Sequence, residues 1–425
     1  MTHPSSDVIL DRMMALHPKV IDLTLDRVWR LLDTLGNPQR DLPPVIHIAG
    51  TNGKGSTQAM IRAGLEADGK QVHAYTSPHL ARFHERIRIA GHLITEAALT
   101  QVLDECYASN NGEDITYFEI TTVAGLLAMS RARADYTLLE VGLGGRLDAT
   151  NVIDTPEICV ITQISMDHEQ FLGNTLAKIA GEKAGIIKRG VPVVVGPQPE
   201  EVMDVIEATA TKLGAPILAY GQHWHVSKER DRLIYQDENG LLDLPLPNLP
   251  GEHQYENAGA ALAVLRYLGM SDAAYDAAVT QAFWPARMQR LSQGRIAEQA
   301  PNIELWLDGG HNAAAGQAIG KHLKTLPPKD TYAICGMLNT KDISGYLSPM
   351  APSLTALYGV SIPGEANTLP AETTAEFAQN VGISALTAGS ATEALASISA
   401  KNPNARVLIC GSLYLAGAVL RENGD

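Results

Sequence analysis

Short apolar runs rich in β-branched residues alternate with helical patterns along the first half of the chain. Runs of this kind, bounded by glycine, proline or polar clusters, predict buried strands. Strands that alternate with helices form parallel sheets covered by helices, so the pattern indicates an α/β fold. The predicted strands span residues 45–48, 72–75, 136–141, 158–164 and 191–195.

The pattern changes after residue 220 and changes back near residue 291. The short runs 224–226, 233–236 and 241–246 are separated by polar turns, which is typical of a small antiparallel sheet, and a helix is predicted from about 256 to 268. A second alternating series predicts a smaller α/β domain, so we expect two domains, 1–290 and 291–425, with the boundary region at 285–295. Its strands are predicted at 303–307, 332–335, 354–360 and 407–410.

Length and charge narrow the classes of function. The chain has 425 residues, of which 45% are hydrophobic and 19% charged, as expected for a globular protein of two or three domains. The net charge of −14 argues against a nucleic-acid or anionic-membrane partner. No apolar run is long enough to span a bilayer, and residues 1–7 lack the pattern of a signal segment. Four widely spaced cysteines indicate small core residues of a cytoplasmic protein, namely Cys106, Cys159, Cys335 and Cys410.

A glycine-rich loop follows the first predicted strand at residues 47–57, which read His-Ile-Ala-Gly-Thr-Asn-Gly-Lys-Gly-Ser-Thr. Between a strand and a helix, such a loop binds phosphate through converging backbone N–H groups, and Lys54 reaches the outer phosphates. The usual pattern has glycine where Ile48 stands and Ser or Thr where Gly55 stands. We interpret the segment as a variant phosphate-binding loop, the alternative being a glycine turn with a chance lysine.

Polar residues end or follow three predicted strands. Because the carboxyl ends of parallel strands face the ligand crevice, Glu140 is well placed to hold a magnesium ion beside Lys54. The alternative is a carboxylate in solvent. His168 and Ser77 follow two other strands, and each by itself is equally compatible with a polar loop residue. In a shared crevice, His168 would join Lys54 and Glu140.

Lys183 lies on the apolar stripe of a helix predicted at 175–188, four residues from both Ile179 and Ile187. One interpretation is a lysine whose stem packs while its amine reaches solvent. The other is a buried amine with a lowered pKa, which is neutral and reacts with carbon dioxide to give a carbamate.

The second half repeats the arrangement of polar residues at a strand end. The strand at 303–307 leads into Asp308, Gly309, Gly310 and His311 at the start of a predicted helix. Near the boundary, Arg287 is either a solvated linker residue or a residue that swings onto a phosphate, where its planar fork outperforms lysine.

Together these segments resemble the folylpolyglutamate synthase and dihydrofolate synthase family, within the larger group of Mur-type ATP-dependent ligases. The matching blocks occur in family order over nearly the whole chain, and the unusual phosphate loop is what this family shows. The blocks are HIAGTNGKGST, TSPHLARFHERIRI, TYFEITT, LLEVGLGGRLDATNVI, ISMDHEQFLG, EKAGIIK, PARMQRL, LDGGHN, CGMLNTKD and VLICGS.

The resemblance implies a fold and a reaction. The fold is an N-terminal domain like a P-loop NTPase, with a small antiparallel extension, and a C-terminal Rossmann-like domain. ATP would phosphorylate a carboxylate of dihydropteroate or a reduced folate, and the amine of L-glutamate would displace phosphate to leave an amide. The implied ions are Mg²⁺, with two ions expected, and the implied state is a monomer. A role for K⁺ is left open.

The resemblance also assigns roles to individual residues. Lys183 would be carbamylated and help to position a second metal ion, and His311 would face the glutamate or the phosphate. The Mg²⁺ ligands would be Ser77, Glu140 and His168. The contacts to ATP would come from Thr51, Asn52, Gly53, Lys54, Gly55 and Ser56 at the phosphates and from Asn257, Arg287 and Asp308 at adenine, phosphate and ribose.

Three segments resemble the pterin side of bifunctional bacterial enzymes, which favours activity on both dihydropteroate and folates. The first, at 21–28, also reads as the start of an amphipathic helix. The family motif usually has an apolar residue and alanine where Gly309 and Gly310 stand, so we expect a looser loop before His311. The substrate contacts implied are Asp22, Leu23, Thr24, Leu25, Thr116, Tyr117, Phe118, Glu119, Leu147, Asp148 and Ala149.

Three alternatives accompany this interpretation. An enzyme acting only on folates would lack the pattern of the early segment. A muramoyl-peptide ligase would need a uridine-nucleotide domain, for which a phosphate loop beginning by residue 50 leaves no room. A nucleotide-binding regulator with an inactive site is disfavoured by the presence of Lys54, Glu140, His168 and Lys183.

Overall fold

The computed structural model describes residues 6–16 and 22–424. Residues 1–5 of the segment searched for a targeting signal, and Ile21 of the early substrate segment, lie outside the described residues. The chain forms two compact units, and it passes from the first to the second between Ala282 and Phe283. Two short segments, Leu80–Arg82 and Asn248–Gln254, belong to the second unit although they lie inside the sequence of the first.

The first unit is built on a mainly parallel sheet, as the alternating pattern predicts. Along the sheet the order is β4-β3-β2-β5-β1-β6-β7-β8, and only the edge pairs β2–β3 and β3–β4 are antiparallel. The five central strands β2, β5, β1, β6 and β7 are buried almost throughout, as their mainly apolar runs predict. In chain order the strands are β1 Val45–Ala49, β2 Val72–Tyr75, β3 Ile87–Ile89, β4 His92–Leu93, β5 Tyr136–Glu140, β6 Ile158–Ile161, β7 Val193–Val195 and β8 Ile217–Ala219.

Helices cover this sheet, and several begin at side-chain caps. Thr116 and Glu119 form a reciprocal capping box at the start of α5. The described helices of the unit are α1 Ser6–Met14, α2 Asp26–Thr34, α3 Lys54–Ala67, α4 Glu96–Asn110, α5 Tyr117–Ser130, α6 Glu169–Leu172, α7 Leu176–Ala184, α8 Glu200–Leu213, α9 His253–Tyr267 and α10 Asp272–Thr280, with 3-10 turns at Pro38–Asp41 and Phe83–Arg86. The first two residues of α9 belong to the second unit.

A three-stranded antiparallel sheet follows, in the order β11-β10-β9, as the short runs after residue 220 predict. Its strands are β9 Trp224–Glu229, β10 Arg232–Asp237 and β11 Gly240–Pro245. The rings of Trp224 and Tyr235 stack at 6.1 Å on its buried face. Gly259 of α9 lies directly under Trp224, where a Cβ would overlap the indole, so this sheet packs on α9.

The second unit is a smaller α/β domain whose sheet has the order β12-β13-β17-β14-β15-β16, with only β12 antiparallel. The α/β class and the two-sheet organisation are therefore confirmed. Its strands are β12 Gln289–Arg290, β13 Glu304–Leu307, β14 Thr331–Cys335, β15 Ala356–Gly359, β16 Ala385–Thr387 and β17 Arg406–Cys410. Its helices are α11 Arg295–Glu298, α12 Ala313–Thr325, α13 Ile343–Leu347, α14 Ala371–Asn380, α15 Ala391–Lys401 and α16 Leu413–Asn423, with a 3-10 turn at Ala351–Ser353.

Two elements end three or four residues earlier than predicted. The strand predicted to run to residue 164 ends at Ile161, because the next residues bond to the phosphate loop instead of to the sheet. The helix predicted to run to residue 188 ends at Ala184, and Lys183 lies in its last turn. The short strands β3, β4, β8, β12 and β16 have too few residues to show a period and were not predicted.

The four cysteines are buried and free, as interpreted from their spacing. Among the described helices, we find no segment with the length and apolar character that crossing a membrane requires.

Candidate active site

The glycine-rich loop joins β1 to α3 and depends on two glycines with positive φ. Gly50 has φ +151° and lies so close to Thr162 that a Cβ would overlap its hydroxyl. Gly53 has φ +87° and lies against the amide of Asn257. Side chains at either position would push away a neighbouring segment, so the loop needs glycine for close approach as well as for its backbone conformation.

The segment after β6 is hydrogen-bonded to the glycine-rich loop. The backbone N–H groups of Thr51 and Asn52 donate to the Gln163 carbonyl at 2.9 and 3.2 Å. The Thr51 hydroxyl donates to the Ser165 carbonyl at 3.0 Å, and the Asn52 amide donates to the Ser165 hydroxyl at 3.1 Å. These two side chains therefore shape the loop, and the N-terminus of α3, beginning at Lys54, is the part that offers N–H groups to an anion.

Two lysines converge on one backbone carbonyl. Nζ of Lys54 donates to the Gly50 carbonyl at 3.1 Å, and Nζ of Lys183 donates to the same oxygen at 2.8 Å. Lys183 is only 5% exposed, so the alternative of an amine that reaches solvent is wrong. Burial first, and then the charge of Lys54, lower the pKa of Lys183 to about 7, while Asp167 and Asp148 act in the opposite direction. Near neutral pH a large fraction of this amine is therefore uncharged.

The three predicted metal ligands lie at or after strand ends in the first unit. Glu140 ends β5 and is 5% exposed, so the alternative of a carboxylate in solvent is wrong. The Ser77 hydroxyl is buried without a hydrogen-bond partner among residues 6–16 and 22–424. His168 has φ +52°, and its ring is 43% exposed beside Asp167, whose carboxylate lies 3.9 Å from Nε2. Oxygen and imidazole ligands of this kind fit a divalent cation.

Asp148 holds the loop between β5 and β6 in shape. Its buried carboxylate accepts the backbone N–H groups of Gly142 and Leu143 at 3.0 and 2.8 Å, and the N–H and hydroxyl of Thr150 at 3.0 and 2.6 Å. Burial raises the pKa of Asp148, and these hydrogen bonds oppose the rise. Ala149 beside it is buried and Leu147 is half-buried.

The same loop grips the helix that carries Lys183. The Arg146 N–H donates to the Glu182 carbonyl at 2.7 Å, and the Asn151 amide donates to the Gly185 carbonyl at 3.1 Å. Gly145 lies where a Cβ would approach the Glu182 carbonyl at 2.8 Å. The position of Lys183 is thus set by the loop that follows Glu140.

Arg27 links two of the predicted substrate segments and was missed by sequence reasoning. It donates to both oxygens of Glu119 at 2.9 and 2.8 Å and to Asp22 at 2.8 Å. Leu23, Thr24 and Leu25 follow Asp22 and are half-buried. The segment at 22–25 is therefore tied to the start of α5, where Thr116, Tyr117 and Phe118 lie. Two signals were available in the sequence. One was a basic residue in an amphipathic segment, and the other was a glutamate three residues after Thr116, the spacing of a capping box.

In the second unit, Asp308 organises the segment that carries Arg287. Its carboxylate accepts the N–H of Met288 at 2.8 Å and the N–H of Gly310 at 2.7 Å. Burial raises the pKa of Asp308, and the charge of Arg287 opposes the rise. Ala286 and Met288, on either side of the half-buried Arg287, have φ +52° and +42°. Such backbone is costly for residues with a Cβ, so the position of Arg287 is imposed by its surroundings.

The expectation of a looser loop before His311 is wrong. The Gly309 N–H donates to the Ala286 carbonyl at 2.9 Å, and the His311 ring nitrogen Nδ1 lies 3.0 Å from the Gly309 carbonyl oxygen. A Cβ on Gly309 would overlap Leu413, and one on Gly310 would lie 2.8 Å from the Asp308 carboxylate. The two glycines fit a tightly packed turn.

Both units match known protein families. Residues 48–265 match the Mur ligase middle domain, and residues 292–422 match the dihydrofolate synthetase C-terminal domain. The dihydrofolate synthase/folylpolyglutamate synthase of Escherichia coli (strain K12) is 35% identical over 95% of this chain and 92% of that protein. The folylpolyglutamate synthase of Lacticaseibacillus casei is 34% identical over 92% of each chain.

Solved structures agree with these matches. E. coli FolC in complex with DHPP and ADP superposes with a TM-score of 0.89, at 33% identity, over 98% of this chain and 97% of that chain. A bifunctional folylpolyglutamate synthase/dihydrofolate synthase with Mn, AMPPNP and L-glutamate bound superposes with a TM-score of 0.85, at 32% identity, over 98% of each chain.

Proposed function

The chain belongs to the folylpolyglutamate synthase/dihydrofolate synthase family of Mur-type ligases, and from this premise we propose which residues perform its reaction. The protein is an ATP-dependent acid–amino-acid ligase. It joins L-glutamate to dihydropteroate and to reduced folates through an acyl phosphate, and it releases ADP and phosphate. The observation that most strongly supports this mechanism is the pair of lysine amines, Lys54 and Lys183, on the single carbonyl of Gly50.

The phosphate loop binds the anionic end of ATP. Gly53, Gly55 and Ser56 present backbone at the start of α3, and Lys54 moves from the Gly50 carbonyl onto the outer phosphates. Thr51 and Asn52 keep the loop in this conformation through Ser165. Positive charge fixed at this point stabilises the charge that develops on the transferred phosphoryl group.

Ser77, Glu140 and His168 would hold Mg²⁺. The buried Ser77 hydroxyl, which lacks a partner among the described residues, and the buried carboxylate of Glu140 fit a hard divalent cation. The ion, when bound, neutralises phosphate charge and lets two anions approach each other. We propose a second Mg²⁺ ion near Lys183. A potassium requirement stays a prediction, which a comparison of rates in KCl and NaCl tests.

Lys183 reacts with carbon dioxide. The neutral amine, whose pKa is lowered to about 7 by burial and by the charge of Lys54, forms the N–C bond and then loses a proton. The product is a carbamate, which replaces a buried cation by an anion beside Lys54. That anion would pair with Lys54 and would offer oxygen ligands to the second ion.

Three further residues contact ATP in this proposal. Asn257 lies against Gly53 and serves the adenine. Arg287 and Asp308 of the second unit serve the phosphate and the ribose, and the positive φ angles beside Arg287 indicate a segment built for one position. His311 faces the glutamate or the phosphate.

The pterin of the substrate lies against three segments, namely Asp22 to Leu25, Thr116 to Glu119 and Leu147 to Ala149. Arg27 ties the first two of them together. Asp148 and Glu119 shape the site through bonds within the chain, so we assign them to holding the pocket as well as to lining it. The presence of the early segment supports action on dihydropteroate in addition to folates.

The reaction is tested by supplying ATP, Mg²⁺ and L-glutamate with either dihydropteroate or tetrahydrofolate and measuring ADP release and the pterin product. We expect turnover with both. Turnover with tetrahydrofolate alone would remove the dihydrofolate synthase activity and leave the ligase, while no turnover with either would contradict the proposed function.

We also propose that the ligase acts as a cytoplasmic monomer. Four buried free cysteines suit a reducing compartment. Light scattering during gel filtration tests the monomer, because a dimer would elute at twice the 45.5 kDa mass of one chain.

A further inference from the structure

Arg86 carries a buried positive charge without an acidic partner in the described part of the chain. It ends the 3-10 turn Phe83–Arg86 and is only 8% exposed. Its Nε donates to Nδ1 of His79 at 2.9 Å, and no carboxylate within 6–16 and 22–424 pairs with its guanidinium. Residues 1–5 and 17–21 contain no acid, and the only acid outside the described residues is Asp425 at the end of the chain. Because a buried guanidinium is rarely left without an anionic partner, this charge favours the binding of an anion.

Aromatic rings surround the guanidinium. Its Cζ lies 5.2 Å from the centre of the Phe83 ring, and the Tyr117 ring meets Phe83 edge-on at 6.3 Å. Tyr75 is fully buried, and its hydroxyl lies 2.9 Å from the Thr122 hydroxyl. Burial raises the pKa of Tyr75, and both the charge of Arg86 and a hydrogen bond from it oppose that rise. Apolar walls of this kind weaken competition from water and strengthen a charge-assisted hydrogen bond.

The position of Arg86 is intermediate between the two ends of the proposed site. Its partner His79 lies two residues after Ser77, on the metal side, while its neighbour Tyr117 starts α5 on the pterin side. The backbone N–H of Thr76, next to Ser77, also donates to the Arg86 carbonyl at 2.9 Å. The contacts of Arg86 therefore connect the segment that carries Ser77 with the start of α5.

We propose that Arg86 binds the carboxylate that becomes phosphorylated, through two parallel N–H···O bonds from its planar fork. The inference rests on the proposed function and adds the group that recognises the acid. A fork held by His79 and Phe83 fixes the carboxylate plane and neutralises its charge before the second anion, ATP, approaches. A glutamated folate also carries an α-carboxylate with the same chemistry, and the experiment must distinguish these two sources.

The test compares binding of pteroate with binding of its carboxamide, which lacks the negative charge. We expect the parent protein to bind pteroate about 10- to 100-fold more tightly than the amide, as measured by titration calorimetry. In Arg86→Met this preference should fall to near unity, through weaker binding of pteroate, while the dissociation constants for the amide and for ADP stay within about threefold of the parent's.

Two further variants control for folding and charge. Arg88→Met removes a neighbouring guanidinium that donates to the Gly91 carbonyl at 2.8 Å, and it should keep the parent preference. Arg86→Lys keeps the charge but loses the fork, so the preference should fall about 3- to 10-fold. If Arg86→Met does not fold, Arg86→Lys decides, and an unchanged preference in either variant overturns the proposal.

The remaining outcomes separate the carboxylate subsite from the ligase activity. If pteroate shows no preference over its amide and only the α-amide of a glutamated folate binds more weakly, the assignment to the acceptor carboxylate is overturned. If Arg86→Met loses the preference for pteroate but the parent protein shows no ligase turnover, the subsite stands and the proposed function fails. Normal turnover of the parent together with parent-like binding by Arg86→Met removes the subsite alone.

Discussion

At the scale of single residues, the most consequential feature is that the side-chain amines of two lysines share the carbonyl oxygen of Gly50. Lys54 and Lys183 lie 3.1 and 2.8 Å from that oxygen, and Lys183 is almost fully buried. Two like charges held this close raise the free energy of the folded protein unless one of them is neutralised. The proposed carbamate of Lys183 would turn this repulsion into attraction.

Removing the amine tests the carbamate. We expect Lys183→Ala to lose at least about 100-fold in kcat, because a charged group positioned for the transition state is absent. Short carboxylic acids or bicarbonate should restore part of the rate, since a free carboxylate can occupy the space of the missing carbamate. Steady-state assays with and without acetate measure this, and a variant as active as the parent would refute the assignment.

The pH dependence of stability gives an independent test. The pKa of Lys183 is about 7 in the folded protein against 10.5 in the unfolded chain, so between these values the unfolded chain binds more protons. Stability should therefore rise with pH from about 7 to 10.5, by several kcal/mol relative to Lys183→Met, in CO₂-free buffer. Denaturant titrations of both proteins measure the difference, and parallel stability profiles would contradict a lowered pKa.

At the scale of elements, hydrogen bonds join the loop between β5 and β6 to the helix α7. The loop is folded around Asp148, and its Arg146 and Asn151 bond to the end of α7, where Lys183 lies. The apolar stripe was enough to predict that Lys183 is buried. The early end of α7 was not predictable, because it is set by contacts with a loop distant in sequence.

A matched pair of glycine substitutions in these elements tests that coupling. Gly145→Ala places a methyl against the Glu182 carbonyl and Lys183 Cα, and it should displace α7, lower kcat and destabilise the protein by about 1–3 kcal/mol. Gly181→Ala lies in α7 itself and meets nothing within 4 Å, so it should keep full activity and gain up to about 1 kcal/mol. Equal activity of the two variants would show that the loop does not position Lys183.

At the scale of the whole molecule, the sequence pattern predicted that both sheets are mainly parallel sheets of α/β type. It did not predict which unit two short segments belong to. The long β-branched runs predicted β1, β2, β5 and β14 closely, because their burial depends on composition alone. Leu80–Arg82 and Asn248–Gln254 belong to the second unit. Leu80 and Ala81, for example, accept from Arg421, which lies 341 and 340 positions away, and no local pattern encodes that. The unpaired charge of Arg86 was hidden for the same reason, since an arginine's partners are known only once the chain has folded.

The segment Leu80–Arg82 belongs to the second unit because it packs closely against α16. Arg421 donates to the Leu80 carbonyl at 3.1 Å and to the Ala81 carbonyl at 3.3 Å. Gly417, one turn earlier in α16, lies so close to the Leu80 carbonyl that a Cβ would overlap it. Gly417→Ala should therefore force this segment away from α16 and lower the free energy of unfolding by about 1–3 kcal/mol, although alanine is the better helix former. Thermal melts of Gly417→Ala and of Gly181→Ala measure the contrast.

Because the segment directly continues the chain from Ser77 and His79, we also expect a higher KM for the pterin substrate in Gly417→Ala. A variant with parent-like melting and parent-like KM would mean that the segment adapts to α16 without cost.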